Sequence, residues 1–184
     1  MKIFIKNMVC PRCITAVGAV FMSMGFTVDR LSLGEAVINE CLSEGQLRLL
    51  ADRLRKEGFE LLNDPRSCLV EQVRIGVMEW VRMKGPRPKL SDYSSGTVHR
   101  DYSSLSKLFS QVKGVTIECF AIRHRTEYAK ELLSYGQQSV SEIAYALGYS
   151  SPAHLTSQFK QQTGMSPREF RKLKTPQRLH LDEL

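Results

Sequence analysis

The chain has 184 residues, 42% of them apolar and 24% charged, the composition of an ordinary globular protein with room for one large or two small domains. No apolar stretch approaches the length that spans a bilayer, and Lys2 and Lys6 interrupt the start where an export signal would need an apolar run, so a cytoplasmic protein is expected. The net charge of +7 is uneven: residues 1–63 hold 8 Lys/Arg against 7 Asp/Glu and the rest holds 18 against 12, as a phosphate-facing surface in the second part would require.

The first 63 residues alternate between strand and helix signals. Ile3 and Ile5 share one face of a strand over Lys2–Lys6, and the loop Met8-Val9-Cys10-Pro11-Arg12-Cys13 follows. Ile14, Val17, Phe21 and Met24 recur at helical spacing, with Gly25 closing that helix. Two short strands are expected around Thr27–Leu33 and Glu35–Ile38, turning at Gly34. Ser43 and Gln46 form a capping box ahead of a helix striped with Leu47, Leu50, Ala51 and Leu54, and Phe59–Leu62 is the last strand. The order βαββαβ is that of a split ferredoxin-like domain.

Five cysteines is an odd number, and without an export signal a metal or redox role is favoured over a disulfide framework. Cys10 and Cys13 form a Cys-x-x-Cys pair between the first strand and the first helix, with Cys13 expected near the helix N-terminus, where unpaired amides and the dipole favour thiolate. Two thiolates make a soft, low-coordinate site suited to Cu(I), or with further ligands to Zn(II). Redox motifs share the spacing, so metal binding, redox sensing and an inert remnant all remain open. Cys41, Cys68 and Cys119 are expected as small buried apolar residues.

Met-x-Cys-x-x-Cys in that position, within that element order, resembles the heavy-metal-associated domain of copper chaperones and metal-transporting ATPases over residues 1–63. The resemblance implies that Cys10 and Cys13 are metal ligands, Met8 a buried loop anchor, and Phe59 the aromatic that packs beneath the loop. Asn7 departs from the family, which usually has glycine there.

From Asp64 onward only helices are expected, seven of them with short connections. Asp64-Pro65 supplies an N-cap and a proline at N1 for a helix to about Lys84, burying Leu69, Val73, Val77, Trp80 and Val81 before Gly85-Pro86-Arg87-Pro88 stops it. The segment 90–116 then repeats fifty positions later as 140–166. Leu90-Ser91-Asp92-Tyr93 aligns with Val140-Ser141-Glu142-Ile143, and Asp101, Leu105, Phe109 and Gly114 align with Ser151, Leu155, Phe159 and Gly164. Such a repeat is the sequence form of a tandem helix-turn-helix pair. A long helix from about Thr116 to Tyr135 separates the copies, and a short one over about Pro167–Lys174 precedes a tail, 175–184, expected to be disordered.

The second copy resembles the DNA-binding domain of AraC-type transcription regulators. Ser141-Glu142-Ile143-Ala144, Leu147-Gly148-Tyr149-Ser150-Ser151, His154-Leu155, Phe159-Lys160, Gly164, Ser166-Pro167 and Phe170-Arg171 carry the likeness, which covers about residues 66–174. The first copy departs from it: Ser94-Ser95-Gly96-Thr97 is polar where the family's first motif is more apolar, so that unit is expected to be the less rigid. About 19 residues of connecting helix span roughly 28 Å, against roughly 34 Å between successive major grooves. Leu105 and Phe109, or Leu155 and Phe159, must face inward. That leaves Ser103, Ser106, Lys107 and Ser110 on one recognition helix, and Ala153, His154, Thr156, Ser157 and Lys160 on the other, as groove-facing candidates. His154 and Ser157 suit base edges, Ala153 a thymine methyl, and Lys107 and Lys160 phosphate.

The expected protein is α+β, with a ferredoxin-like domain over 1–63 and an all-α seven-helix domain over 64–174 carrying two helix-turn-helix units. It reads as a metal-responsive regulator that binds double-stranded DNA, with RNA polymerase a candidate second partner and the oligomeric state open. No catalytic constellation is visible, and no enzyme is expected. Two rivals remain: a DNA-binding regulator whose N-terminal domain serves dimerisation or partner binding without metal, and a metal carrier whose helical domain only docks.

Overall fold

The computed structural model describes residues 1–173, so the expected disordered tail lies outside the described residues. The chain divides into two compact units, Met1–Ile75 and Gly76–Leu184.

In the first unit the order is β1 (Lys2–Lys6), α1 (Pro11–Ser23), β2 (Val28–Ser32), β3 (Glu35–Ile38), α2 (Glu44–Lys56) and β4 (Glu60–Leu62). The four strands form one antiparallel sheet in the order β2-β3-β1-β4. Central β1 pairs Ile3 with Ala36 and Ile5 with Leu61, so its alternating apolar face, Ile3 and Ile5, is buried. Val17 and Phe21 of α1, and Leu50 and Leu54 of α2, join those residues with Met8, Ile38 and Phe59 in one core. The Ser43–Gln46 capping box is formed and starts α2 as its sequence requires.

Helix α3 (Pro65–Arg82) begins where Asp64 accepts the Ser67 N–H at 2.8 Å. The compact unit does not end with β4 at Asn63; it takes in the first half of α3. Ile75 is one reason: its terminal methyl would lie 2.1 Å from a Cβ built at Gly34, so the glycine at the β2–β3 turn (φ +73°) is also the site of a close approach. Val73, Val77, Trp80 and Val81 are buried as expected, but Val70 is buried in place of Leu69, which is only half-buried.

The second unit continues with α4 (Leu90–Val98), α5 (Tyr102–Lys113), α6 (Ile117–Tyr135), α7 (Val140–Ala146), α8 (Pro152–Thr163) and α9 (Pro167–Arg171). The fifty-residue repeat extends further than the sequence motif. Phe109 of α5 packs edge-to-face on Phe120 of α6, and Phe159 of α8 packs the same way on Phe170 of α9, at centroid distances of 5.4 and 5.5 Å. Each copy is therefore three helices, the third being the start of α6 or all of α9. Cutting either buried Phe to Ala costs about 3–5 kcal/mol by the usual cavity penalty. The copies differ at the turn. In the second, Gly148 takes the left-handed conformation (φ +72°); in the first it falls on His99 (φ +54°), one position past the residue aligned with Gly148. Helix α4 consequently runs on unbroken through Gly96.

Candidate functional site

The dithiol loop is built from three constraints placed ahead of Cys10. Asn7 adopts the left-handed region (φ +73°), which explains why glycine can stand there and why asparagine is tolerated, and its side-chain amide donates to the Gly58 carbonyl at 3.0 Å. Met8 is fully buried, with its thioether accepting the Gly34 N–H at 3.3 Å, so it anchors the loop and does not face the cysteines' ligand space. The Met8 carbonyl accepts from Arg74 of α3 at 3.2 Å. Beyond these points Cys10 is the N-cap of α1, Pro11 opens the helix, and Cys13 closes the first turn through its N–H to the Cys10 carbonyl at 3.0 Å. Cys10 is thus the N-cap and Cys13 the third residue of the first turn, so both thiols lie at the helix N-terminus, where Cys13 was expected.

The two sulfurs lie 3.6 Å apart, both half-buried. Burial pushes the Cys10 thiol up, but the backbone N–H and thiol of Cys13, the Arg12 N–H and the Arg12 guanidinium outweigh it and hold Cys10 below an ordinary thiol. Two Zn–S bonds of about 2.3 Å at a tetrahedral angle separate their sulfurs by about 3.8 Å, close to the spacing found, whereas a linear two-coordinate ion would require the two thiols to move apart. Among the described residues no group of three or more His, Cys, Asp or Glu could hold a metal. Two thiolates alone suit a soft, low-coordinate ion better than Zn(II), which takes four ligands. The other cysteines stand apart. Cys41 and Cys119 are exposed, contrary to expectation: Cys41 follows β3 in the loop to α2, and Cys119 lies in the capped first turn of α6 on its outer side. Cys68 is half-buried, its thiol directed at the Leu62 carbonyl and pushed up by burial and then by Asp64.

In the helical unit, Leu105, Phe109, Leu155 and Phe159 are buried, and this orients α5 and α8. Ser103, Lys107, Ala153, His154, Ser157 and Lys160 are exposed, while Ser106, Ser110 and Thr156 are half-buried. Some of these polar groups are already engaged. Ser103 donates to the N-cap Asp101 carboxylate, and Thr156 donates to the Pro152 carbonyl at 2.8 Å. His154 has Nδ1 3.1 Å from the Ser150 hydroxyl and its ring edge-on to Tyr149, which fixes the imidazole on α8. Tyr149 in turn donates to Gln158 at 2.7 Å.

Two cations that tie elements together, half-buried Arg87 and buried Arg74, are not marked in the sequence. In the sequence Arg87 reads only as part of a helix-stopping segment. It folds back to donate from Nε to the Trp80 carbonyl and from Nη2 to the carbonyls of Val81, Met83 and Ala146, at 2.8–3.1 Å. One guanidinium thereby caps the C-terminal ends of both α3 and α7, where orphan carbonyls and the negative dipole end favour a cation. A Cβ at Gly148 would lie 2.6 Å from Arg87 Nη1, so this turn glycine also makes room for the clamp. Arg125 of α6 stacks between Trp80 and Tyr149, 4.8 and 5.1 Å from their ring centroids. Arg74 is the second missed cation. It pairs with Glu71 through Nε and Nη2 at 2.9 and 2.6 Å, both side chains being almost fully buried. A proline-bounded arginine and an i, i+3 Glu–Arg pair on a helix with little polar surface were the available signals.

Comparison with known proteins places the helical unit. Residues 95–173 match the family model described as a helix-turn-helix domain. The HTH-type transcriptional regulator YisR of Bacillus subtilis is 39% identical over 75 residues, 41% of this chain and 25% of the relative. The transcriptional activator RhaS of Escherichia coli is 34% identical over 68 residues, 37% of this chain and 24% of the relative. The chain thus spans about a quarter of the length of these relatives, both named as transcription regulators. Among solved structures, the C-terminal domain of AraT, a response regulator of Geobacillus stearothermophilus, aligns with a TM-score of 0.52 at 20% identity, covering 64% of this chain and 92% of that one. An AraC-type transcriptional regulator of Chromobacterium violaceum aligns with the same score of 0.52 at 22% identity, covering 61% of this chain and 100% of that one. Residues 95–173 therefore form a helix-turn-helix domain with the fold of AraC-type DNA-binding domains.

Proposed function

We propose that the chain is a sequence-specific DNA-binding transcription regulator whose DNA affinity responds to a thiophilic ion held by Cys10 and Cys13. The observation that carries it is the presence, in one chain, of a pinned dithiol 3.6 Å across at a helix start and a helix-turn-helix domain in which α5 and α8 each bury one face and expose the other. The βαββαβ order, with strands arranged β2-β3-β1-β4, supports reading the first unit as a ferredoxin-like, heavy-metal-associated domain.

Helices α5 and α8 enter successive major grooves, separated by the 19-residue α6. Lys107 and Lys160 neutralise phosphates, while His154, held by Ser150, offers Nε2 to a base edge and Ser157 and Ala153 extend the reading. In the loop, Cys10 and Cys13 supply the thiolates; the ion, Cu(I) before Zn(II), supplies a soft Lewis acid that cross-links them. Arg12, beside Cys10, offsets the negative charge of the dithiolate. RNA polymerase is a further partner if the chain activates transcription.

The lowered Cys10 thiol also favours a second reading, a redox switch in which both thiols lose a proton and two electrons pass to a disulfide oxidant as the Cys10–Cys13 bond forms. Selection of binding sites from random duplexes, then hydroxyl-radical footprinting on the selected duplex, tests the DNA half. Protection on one face of two successive major grooves is expected, and absence of sequence preference contradicts it. Titration of Cu(I) against a competing chelator tests the other half. One ion per chain, lost in the Cys10→Ser/Cys13→Ser variant, is expected; no uptake by the reduced protein leaves the redox or partner-binding alternatives.

A further inference from the structure

Of the three bonds that pin the dithiol loop, two come from within the βαββαβ core: Asn7 to Gly58 and Gly34 to Met8. The third comes from α3, where Arg74 Nη2 donates to the Met8 carbonyl two residues before Cys10. This guanidinium is not a mobile surface group. Glu71 holds it through two further hydrogen bonds, and the side chains of the pair are 6% and 3% exposed. Next to it, Ile75 closes on Gly34, whose N–H holds the Met8 thioether. The backbone at Met8 is therefore shared between the ligand loop and a helix that runs on, without a break, from Ile75 to Arg82.

Resting on the metal reading above, we infer that Arg74 is the positioning residue that ties the Cys10–Cys13 loop to α3, so that ion binding and the stability of α3 are linked through the Arg74–Met8 bond. A cross-link between the two thiolates fixes the loop. A fixed loop presents the Met8 carbonyl to Arg74 more of the time, and the half of α3 bearing Glu71 and Arg74 opens less often. Linkage is reciprocal: whatever loosens Arg74 weakens ion binding by the same factor. Helix α3 is in this way the covalent route by which occupancy of the loop reaches the second unit.

The test uses the full-length reduced protein with Cu(I) alone, its affinity read by competition with a chelator, and amide hydrogen exchange across residues 65–82 read with and without Cu(I). Arg74→Met is expected to weaken Cu(I) about tenfold while Cys10 and Cys13 stay intact, and to abolish any Cu(I)-dependent slowing of exchange in α3. Arg74→Lys, which retains a donor, is expected to recover part of both. Exchange at the β1 and β3 amides shows whether each variant is folded, and if Arg74→Met is not, Arg74→Lys and Glu71→Gln carry the comparison. Wild-type protein that binds Cu(I) with no change in α3 exchange overturns this inference alone. So does a folded Arg74 variant that behaves as wild type. Wild-type protein that binds no Cu(I) overturns the metal reading and this inference together.

Discussion

Replacing Arg87 by methionine removes the clamp on α3 and α7 while keeping much of the aliphatic stem. The Nε bond to the Trp80 carbonyl is lost, together with the contacts that the two Nη2 hydrogens share among the carbonyls of Val81, Met83 and Ala146. A hydrogen bond contributes about 1 kcal/mol net, more from a charged donor, but carbonyls at a helix end can rehydrate once the guanidinium has gone. The expected loss is therefore about 2–4 kcal/mol from the second unit. The chain holds a single tryptophan, Trp80, buried in that unit with the Arg87 guanidinium 6.0 Å and the Arg125 guanidinium 4.8 Å from its ring. Urea unfolding followed by Trp80 fluorescence therefore reports this unit directly. A midpoint drop corresponding to at least about 2 kcal/mol is expected. Gly148→Ala should be destabilising through its left-handed backbone and through Arg87 Nη1, and less so once Arg87 is methionine. An unshifted midpoint in Arg87→Met, or strict additivity of the pair, would refute the clamp.

Lys107→Ala and Lys160→Ala should each weaken binding to all duplexes alike and lower the salt slope of log K by about one, whereas His154→Ala should chiefly relax preference at one base pair; titrations at several salt concentrations separate the two outcomes. Because Cys10 is held below an ordinary thiol, its alkylation by iodoacetamide, read by peptide mass spectrometry, should reach half its maximal rate at a lower pH than in the urea-unfolded chain. An equal or higher pH contradicts the N-cap account. The carboxylates of Asp101, Glu142 and Glu169 are depressed chiefly by hydrogen bonds from Ser103, Ser139 and Ser166 and their neighbours. Their folded-state values lie below the unfolded ones, so their contribution is present above the unfolded range and is lost as pH falls through the folded values. Thermal melts of the helical unit should accordingly fall below about pH 4, and less so in the Glu142→Gln/Glu169→Gln variant, whose amides do not titrate there.

Local rules carried the element order. Alternation over Lys2–Lys6, the Ser43–Gln46 and Ser139–Glu142 capping boxes, and the glycines at Gly114, Gly136 and Gly164 each act within a few residues, and the helices begin and end where those rules direct. What escaped the sequence depends on partners far along the chain. Arg74 meets Met8 across 66 residues and Arg87 meets Ala146 across 59, and nothing near either arginine names its acceptor. The extent of the first compact unit, which runs to Ile75, has the same origin. Asp64-Pro65 correctly announces a helix, but only the Ile75–Gly34 and Arg74–Met8 approaches carry that helix's first half into the unit. The turn of the first repeat left no mark in the sequence, because His99 bears the positive φ with no glycine there. For the candidate sites, Cys10 and Cys13 were legible as a pair; that Cys10 is the N-cap depended on Pro11 opening the helix one residue later.

The central claim joins the two halves of the chain, and the change in DNA affinity on loading the dithiol measures that join. Equilibrium binding to the selected duplex, at one fixed salt concentration, should be compared for reduced metal-free protein, Cu(I)-loaded protein and the Cys10→Ser/Cys13→Ser variant. A several-fold shift in Kd on Cu(I) loading of the wild type, absent from the double serine variant, is the predicted result. The same Kd in all three, with Cu(I) shown to be bound by the wild type, would contradict it.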